Sequence, residues 1–187
     1  MGVLFITESY LKNNSELNDN VDPKLIVPAI TEAQDIDIQD LLGSALYADI
    51  KTKVSADADL SGYSSYKTLM DNYILPALKY YTLYRLLMPM TVKLMNKSVM
   101  TRSSDNGQPI SLDDVYKLEE RYLNKAQWYG RRLVAYLCDN TSTFTLYNSY
   151  TANNSTIHPN KSAYNAGMFL EINFNNNVGE KEEPTEC

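Results

Sequence analysis

The clearest hydrophobic pattern in the chain lies between Asn20 and Tyr47. At about 100° per residue, its apolar residues share one broad arc of a helix, which predicts a helix that packs against a core. This arc holds Ile26, Ala29, Ile30, Ala33, Ile36 and Leu41, whereas Lys24, Gln34, Ile38 and Gln39 point elsewhere. Asp22 and Pro23 suit the first turn of this helix, with Pro28 as a bend near its start. Gly43 suits its end, and a second helix opens at Ser44.

A single carboxylate, that of Asp37, projects from the middle of this apolar arc. Buried carboxylates normally pair with a cation or with backbone donors, and Arg85 or Arg121 on neighbouring helices could supply the cation. A catalytic role would need a second acid, a histidine or a metal ligand at a defined spacing, and the sequence has none nearby. We therefore interpret Asp37 as a buried structural charge.

The longest helical pattern runs from Ser64 to about Lys97. Its apolar residues recur at alternating intervals of four and three, which is typical of a packing seam. They are Tyr66, Met70, Tyr73, Ala77, Tyr80, Tyr84 and Leu87. Pro76 and Pro89 lie inside the pattern, so we expect kinks or two to three consecutive segments. The tyrosines could also stack on nucleic-acid bases, but their helical spacing and the absence of interleaved arginine favour core packing.

A polar loop and a last long helix follow. Met100 to Ile110 is predicted to project from the bundle, and its Asn106-Gly107 pair suits the tip of a hairpin. Ser111 with Asp114 forms a capping pattern that begins the helix. The buried face of this helix is predicted to hold Val115, Leu118, Tyr122, Ala126, Tyr129, Leu133 and Tyr136.

Both ends of the chain differ in composition from the middle. The run Val3 to Ile6 predicts a strand or an arm laid on a neighbour, whereas Asn140 to Asn165 lacks helical periodicity but keeps large apolar side chains. Met168 to Phe174 alternates like a strand. We expect the segment from Asn140 to Phe174 to cross to another chain. Its candidate assembly contacts are Phe144, Leu146, Tyr147, Tyr150, Tyr164, Phe169, Leu170 and Ile172.

These patterns predict a mostly α fold. It consists of a helical bundle of about four helices, with a kinked long helix, a projecting loop or hairpin, and extended terminal arms with a short strand. The predicted organisation is an N-terminal arm over residues 1–21, a bundle domain over 22–140, and a C-terminal arm with an acidic tail over 141–187.

Composition narrows the functional classes. The 187 residues carry a formal charge of −6 with a sequence pI of about 4.8, which argues against tight binding to a phosphate backbone. No apolar run approaches the ~20 residues of a membrane span. The sequence has no phosphate-binding glycine loop, no catalytic-serine or zinc-protease motif, and only His158 for any triad. We expect no enzyme activity, no cofactor and no metal, and an assembly component is the better interpretation.

Several short motifs resemble those of one known group of proteins. They are Asn20-Val21-Asp22, Ala33-Gln34-Asp35, Leu42-Gly43 with Leu46-Tyr47, the Asn106-Gly107 loop before a long helix, and the end Tyr129, Leu133, Tyr136 and Leu137. In this order they resemble the head–tail adaptor proteins of tailed bacteriophages, and most of all those of crAss-like phages of gut Bacteroidetes. The resemblance extends from about Phe5 to Asn140.

The resemblance implies a structural virion protein at the head–tail junction, made in the host cytoplasm. Such adaptors form a homo-oligomeric ring, expected to be dodecameric, that docks on the portal protein and on the next ring or tail protein. Genomic DNA passes through the lumen without a membrane being involved, and an acidic lumen would repel its phosphates. The alternatives are another ring or tail protein of the same virion, or a helical regulatory or DNA-binding domain.

Overall fold

A computed structural model describes residues 2–95, 98–101, 111–148 and 157–161 of the chain. The mostly α helical-bundle fold predicted from the sequence is confirmed. The helices are α1 (Glu8–Asn13), α2 (Pro23–Glu32), α3 (Gln39–Ala56), α4 (Ser64–Leu69), α5 (Leu75–Thr91) and α6 (Leu112–Asp139). Two π-helical turns (Ala33–Ile38 and Met70–Ile74), a two-stranded hairpin of β1 (Val92–Met95) and β2 (Ser98–Thr101), and a 3-10 turn (Thr145–Asn148) complete the described elements.

The helix α2 begins as the sequence predicts, but its continuation differs. The Asp22 side chain accepts a hydrogen bond from the Lys24 amide at 2.9 Å, and Pro23 occupies the first turn. Beyond Glu32 the chain forms a π-helical turn, in which the Gln39 amide donates to the carbonyl of Gln34, five residues earlier. This turn takes one residue more than an α-helical turn, so the side chains after it change direction.

Because the side chains change direction, part of the predicted buried arc is wrong. Ile36 was expected on the core face, but its side chain is 52 % exposed. Gln34 and Ile38 were expected to point away from the core, and both are buried. The prediction assumed an uninterrupted α-helical period, which the π-helical turn breaks.

Gly43 separates two helical stretches within α3. Its φ of 72° and ψ of 158° lie in a region that only glycine adopts readily. The predicted break at Gly43 and the restart at Ser44 are therefore confirmed.

The long tyrosine-rich pattern is divided into α4, the π-helical turn Met70–Ile74 and α5, as its prolines suggest. Pro76 lies just after the π-helical turn, at the start of α5, and Pro89 lies inside α5. The predicted extension to Lys97 is wrong, because α5 ends at Thr91 and β1 follows at once.

The hairpin also begins earlier than predicted. β1 and β2 pair antiparallel, with Val92 opposite Thr101 and Met95 opposite Ser98. Met100 and Thr101, expected in a loop, therefore belong to a strand, while the predicted Asn106-Gly107 turn lies outside the described residues. Ser111 caps α6 as predicted, since its hydroxyl accepts from the Asp114 amide at 3.2 Å.

The π-helical turn Met70–Ile74 and α5 pack against α6 through stacked tyrosines. The rings of Tyr73 and Tyr136 lie 4.0 Å apart between centroids, and those of Tyr80 and Tyr129 lie 5.2 Å apart. The guanidinium of Arg132 covers the Tyr73 ring at 5.0 Å. The tyrosines of this seam pack between helices, which agrees with the core interpretation. Within the described residues, no helix has the length and apolar content needed to cross a membrane.

Candidate functional site: the terminal clamp

The first functional cluster holds the N-terminal segment onto the bundle. Gln34 is almost fully buried, and its side-chain oxygen accepts a hydrogen bond from the Phe5 amide at 2.7 Å. Its side-chain nitrogen donates to the Val3 carbonyl at 2.9 Å and to the Tyr47 hydroxyl oxygen at 3.1 Å. One amide side chain therefore satisfies two backbone groups of a segment that forms no strand of its own.

Tyr47 connects this contact to α3. Its hydroxyl donates to the carboxylate of Asp35, and its ring meets the Phe5 ring edge to face at 5.6 Å. Burial, and then the bond to Asp35, raise the pKa of Tyr47 above its usual value, so the hydroxyl stays a donor. The N-terminal run was predicted to be a strand or an arm on a neighbour, whereas Phe5 and Ile6 lie in the core of their own chain.

A second contact holds residues 157–161 against the break in α3. The Ser44 amide donates to the Ile157 carbonyl at 3.0 Å, and the Ile157 amide donates to the Ser44 hydroxyl at 3.1 Å. The amide and side chain of Asn160 donate to the carbonyl and carboxylate of Asp40, at 2.8 and 2.9 Å. Four hydrogen bonds thus join segments more than a hundred residues apart.

Glycine at position 43 makes this contact possible. A Cβ atom at Gly43 would lie 2.7 Å from Cδ of Pro159, closer than real Cβ atoms approach other atoms. The proline ring therefore rests directly on the backbone of α3. We call Gln34, Asp40, Gly43, Ser44 and Tyr47 the terminal clamp, because these residues hold a segment from each end of the chain.

The buried charge Asp37 lies next to the clamp and has a definite partner. Arg85 of α5 donates from Nε and Nη2 to the two carboxylate oxygens of Asp37, at 2.6 and 3.0 Å. Arg85, rather than Arg121, is the cation that pairs with it. Burial raises the pKa of Asp37, and the guanidinium opposes that rise. The bidentate pair fixes the π-helical turn to α5.

The chemistry of this cluster is that of holding chain segments. Gln34, Asp35 and Asp37 are each engaged by a protein partner. Among residues 2–95, 98–101, 111–148 and 157–161, no three His, Cys, Asp or Glu side chains are placed to bind a metal ion.

The candidate assembly contacts fall into two groups. Phe144 and Tyr147 are almost fully buried in the core of their own chain, and Leu146 packs partly against it. The rings of Tyr66 and Phe144 meet edge to face at 5.4 Å. Phe144 and Tyr147 are therefore core residues and not contacts for a partner, and the bundle continues past the predicted boundary at Asn140. Tyr150, Tyr164, Phe169, Leu170, Ile172 and the predicted strand lie outside the described residues.

Sequence reasoning missed the contact made by residues 157–161. On α3 the contact is made by Asp40, Gly43 and Ser44, which meet the backbone of Ile157, the ring of Pro159 and Asn160. None of these residues belongs to a predicted hydrophobic pattern. The one available signal was Gly43. The helix break already explained why a glycine is needed there, so a close contact with another segment was not inferred from it. A second missed feature is the exposure of Trp128 on α6, which is 52 %.

The described structure is thus a mostly helical bundle with a clamp for its terminal segments. Residues 38–157 match the family of unknown function DUF6712, and the chain belongs to that family. No curated protein and no solved structure matches the chain.

Proposed function

We propose that this chain is a head–tail adaptor, a structural virion protein that forms a ring under the portal of a tailed bacteriophage. The observation that carries the proposal is the position of the residues that resemble crAss-like phage adaptors. Gln34, Asp35, Gly43 and Tyr47 all lie in the terminal clamp or contact it. In an adaptor, the chain that continues from segments held in this way would be placed to reach neighbouring subunits, the portal and the next tail component.

The rest of the fold is compatible with this role. A rigid pair of long helices, α5 and α6, is joined through an antiparallel hairpin, and loops or hairpins of this kind are suited to contacts between subunits. The proposal assigns the protein no catalytic step and no cofactor. It places the chain at the head–tail junction, with genomic DNA passing through the ring, and the acidic charge of the chain would let that DNA slide.

The test is assembly with the portal. The purified chain is mixed with the portal protein of the same virion, and the complex is sized by sedimentation and imaged by electron microscopy. A ring that shares the portal axis is expected. A chain that remains monomeric and does not associate with the portal would refute the proposal.

The contacts of the clamp suggest where to truncate the chain for a second version of this assay. A chain that ends at Lys161 keeps Phe144, Tyr147 and the four hydrogen bonds to α3, so it should fold like the full chain. If residues 162–187 reach a partner, this variant should melt normally but bind the portal or its ring neighbour more weakly. Unchanged assembly would show that the arm is not a partner contact.

A further inference from the structure

One face of α6 has a charge opposite to that of the whole chain. Trp128 is 52 % exposed, and a shallow groove beside it is lined by three basic side chains, Lys117, Arg121 and Lys125, together with Glu120 and Asn124. Arg131 and Arg132 flank the same indole on its other side. Between Lys117 and Arg132 these five side chains are basic and only Glu119 and Glu120 are acidic, whereas the chain carries −6 overall. We call the tryptophan and its five basic neighbours the Trp128 face.

A second exposed apolar side chain lies in acidic surroundings. The π-helical turn points Ile36 outward with 52 % exposure. The side chains of Glu32 and Asp35 beside it are 60 % and 44 % exposed. Arg85 lies 4.0 Å from Glu32 and Lys51 lies 3.6 Å from Asp35, but Arg85 is already paired with Asp37, so carboxylates still outnumber free cations around Ile36. We call Glu32, Asp35 and Ile36 the Ile36 face.

The two faces belong to elements that contact different sides of α5. On α5, Arg85 contacts Asp37 in the turn that carries Ile36, whereas Tyr80 stacks on Tyr129, the neighbour of Trp128. Five residues along a helix correspond to a rotation of about 140° at 100° per residue. A single copy therefore cannot bring its own two faces together, but two copies can.

We infer that the Trp128 face of one copy docks on the Ile36 face of a second copy, so that copies join head to tail. An exposed indole in basic surroundings and an exposed aliphatic side chain in acidic surroundings are complementary in charge and in apolar character. Contacts between two different surfaces of identical chains are those from which rings are built. That this contact closes into a ring rests on the proposed adaptor function, whereas the contact itself does not.

A phosphate backbone is the other ligand that lysine, arginine and an aromatic ring could attract. The observations favour a second copy. The same chain presents a matching acidic face, while its charge of −6 repels a polyanion at long range.

The test uses two variants of the full chain, Trp128→Glu and Ile36→Glu, in sedimentation equilibrium. The wild type should self-associate, and each variant alone should be monomeric, with association weakened by at least about thirtyfold, as for a central interface residue. An equimolar mixture should form dimers and nothing larger, because each variant retains the face that the other lacks. Tyr116→Glu is the matched control, since Tyr116 is equally exposed on α6 but twelve residues away and about 120° around the helix. It should associate like the wild type.

Circular dichroism establishes that each variant is folded, and three results in sedimentation would overturn the inference. They are a wild type that stays monomeric at high concentration, variants that associate like the wild type, and a mixture that stays monomeric. Binding of a labelled DNA duplex that Trp128→Glu abolishes, with self-association unchanged, would assign the face to nucleic acid instead. Variants that still form rings on the portal would refute this contact and leave the adaptor function standing. A wild type that associates head to tail but does not bind the portal would support this contact and refute the proposed adaptor function.

Discussion

Replacing Arg85 with methionine tests the energetic role of the buried ion pair. Methionine keeps much of the side-chain volume but removes both hydrogen bonds to Asp37. Asp37 is only 4 % exposed, and its charged carboxylate has no proton to donate to another group. Removing one partner of a buried pair leaves an uncompensated charge, which costs about 3–5 kcal/mol of the free energy of unfolding. For a chain of this size, that loss corresponds to a fall in Tm of roughly 6–20 °C.

The pH dependence of this loss identifies its cause. Burial already raises the pKa of Asp37, and the guanidinium is the main opposing influence, so the substitution raises that pKa further. A carboxyl group with a raised folded-state pKa destabilises the protein once the pH exceeds its unfolded-state pKa, and the loss grows until the pH passes the folded-state pKa. The stability gap between wild type and Arg85→Met should therefore narrow as the pH falls from 7 towards 4.

Urea unfolding followed by circular dichroism measures both effects. The double variant Asp37→Leu/Arg85→Met removes both charges and should recover most of the loss, because apolar side chains can replace a buried pair. Lys51→Met is the matched control. Lys51 lies 3.6 Å from Asp35 in a partly exposed pair, and its loss should cost less than about 1 kcal/mol. A loss below about 1 kcal/mol in Arg85→Met, or one independent of pH, would refute the reasoning.

Three further predictions concern the clamp, the core and the titration of a tyrosine. Gly43→Ala should lower the free energy of unfolding by about 1–3 kcal/mol from backbone strain alone, and by more from overlap with Pro159. Gly62 has open space around it, so Gly62→Ala should melt like the wild type. Phe144→Ala should lower the free energy of unfolding by about 3–5 kcal/mol in chemical unfolding, whereas Leu112→Ala, at an exposed position, should change it by less than about 0.5 kcal/mol. A Phe144→Ala variant with unchanged stability would support the prediction from the sequence that residue 144 belongs to an arm. Burial, and then the bond to Glu16 at 2.9 Å, raise the pKa of Tyr122 to about 12. The stabilising contribution of the Tyr122 hydroxyl is present below pH 10 and is lost as the pH rises towards 12. The difference in stability between wild type and Tyr122→Phe should therefore shrink over that range, and a constant difference would contradict this prediction.

Local signals in the sequence predicted much of the fold. Asp22 with Pro23, Ser111 with Asp114, and Gly43 each act within a few residues of themselves, so their effects on helix ends follow from the chain alone. The regular spacing of tyrosines predicted for the same reason that this segment forms a packing seam, although not that α6 is the helix on its other side. Asp37 was recognisable as a buried charge because its neighbours in the helical arc are apolar.

The tertiary structure decided what local spacing cannot encode. The π-helical turn at Ala33–Ile38, pinned to α5 by Arg85, reverses the exposure of Ile36 and Ile38, and an ideal helical period has no means of predicting that extra residue. Phe144 was assigned to an arm because its segment lacks periodicity, yet it fills a space created by α4 and α6. The clamp joins Ser44 to Ile157 across more than a hundred residues. Such contacts depend on where separate elements meet in space, which only the folded chain determines.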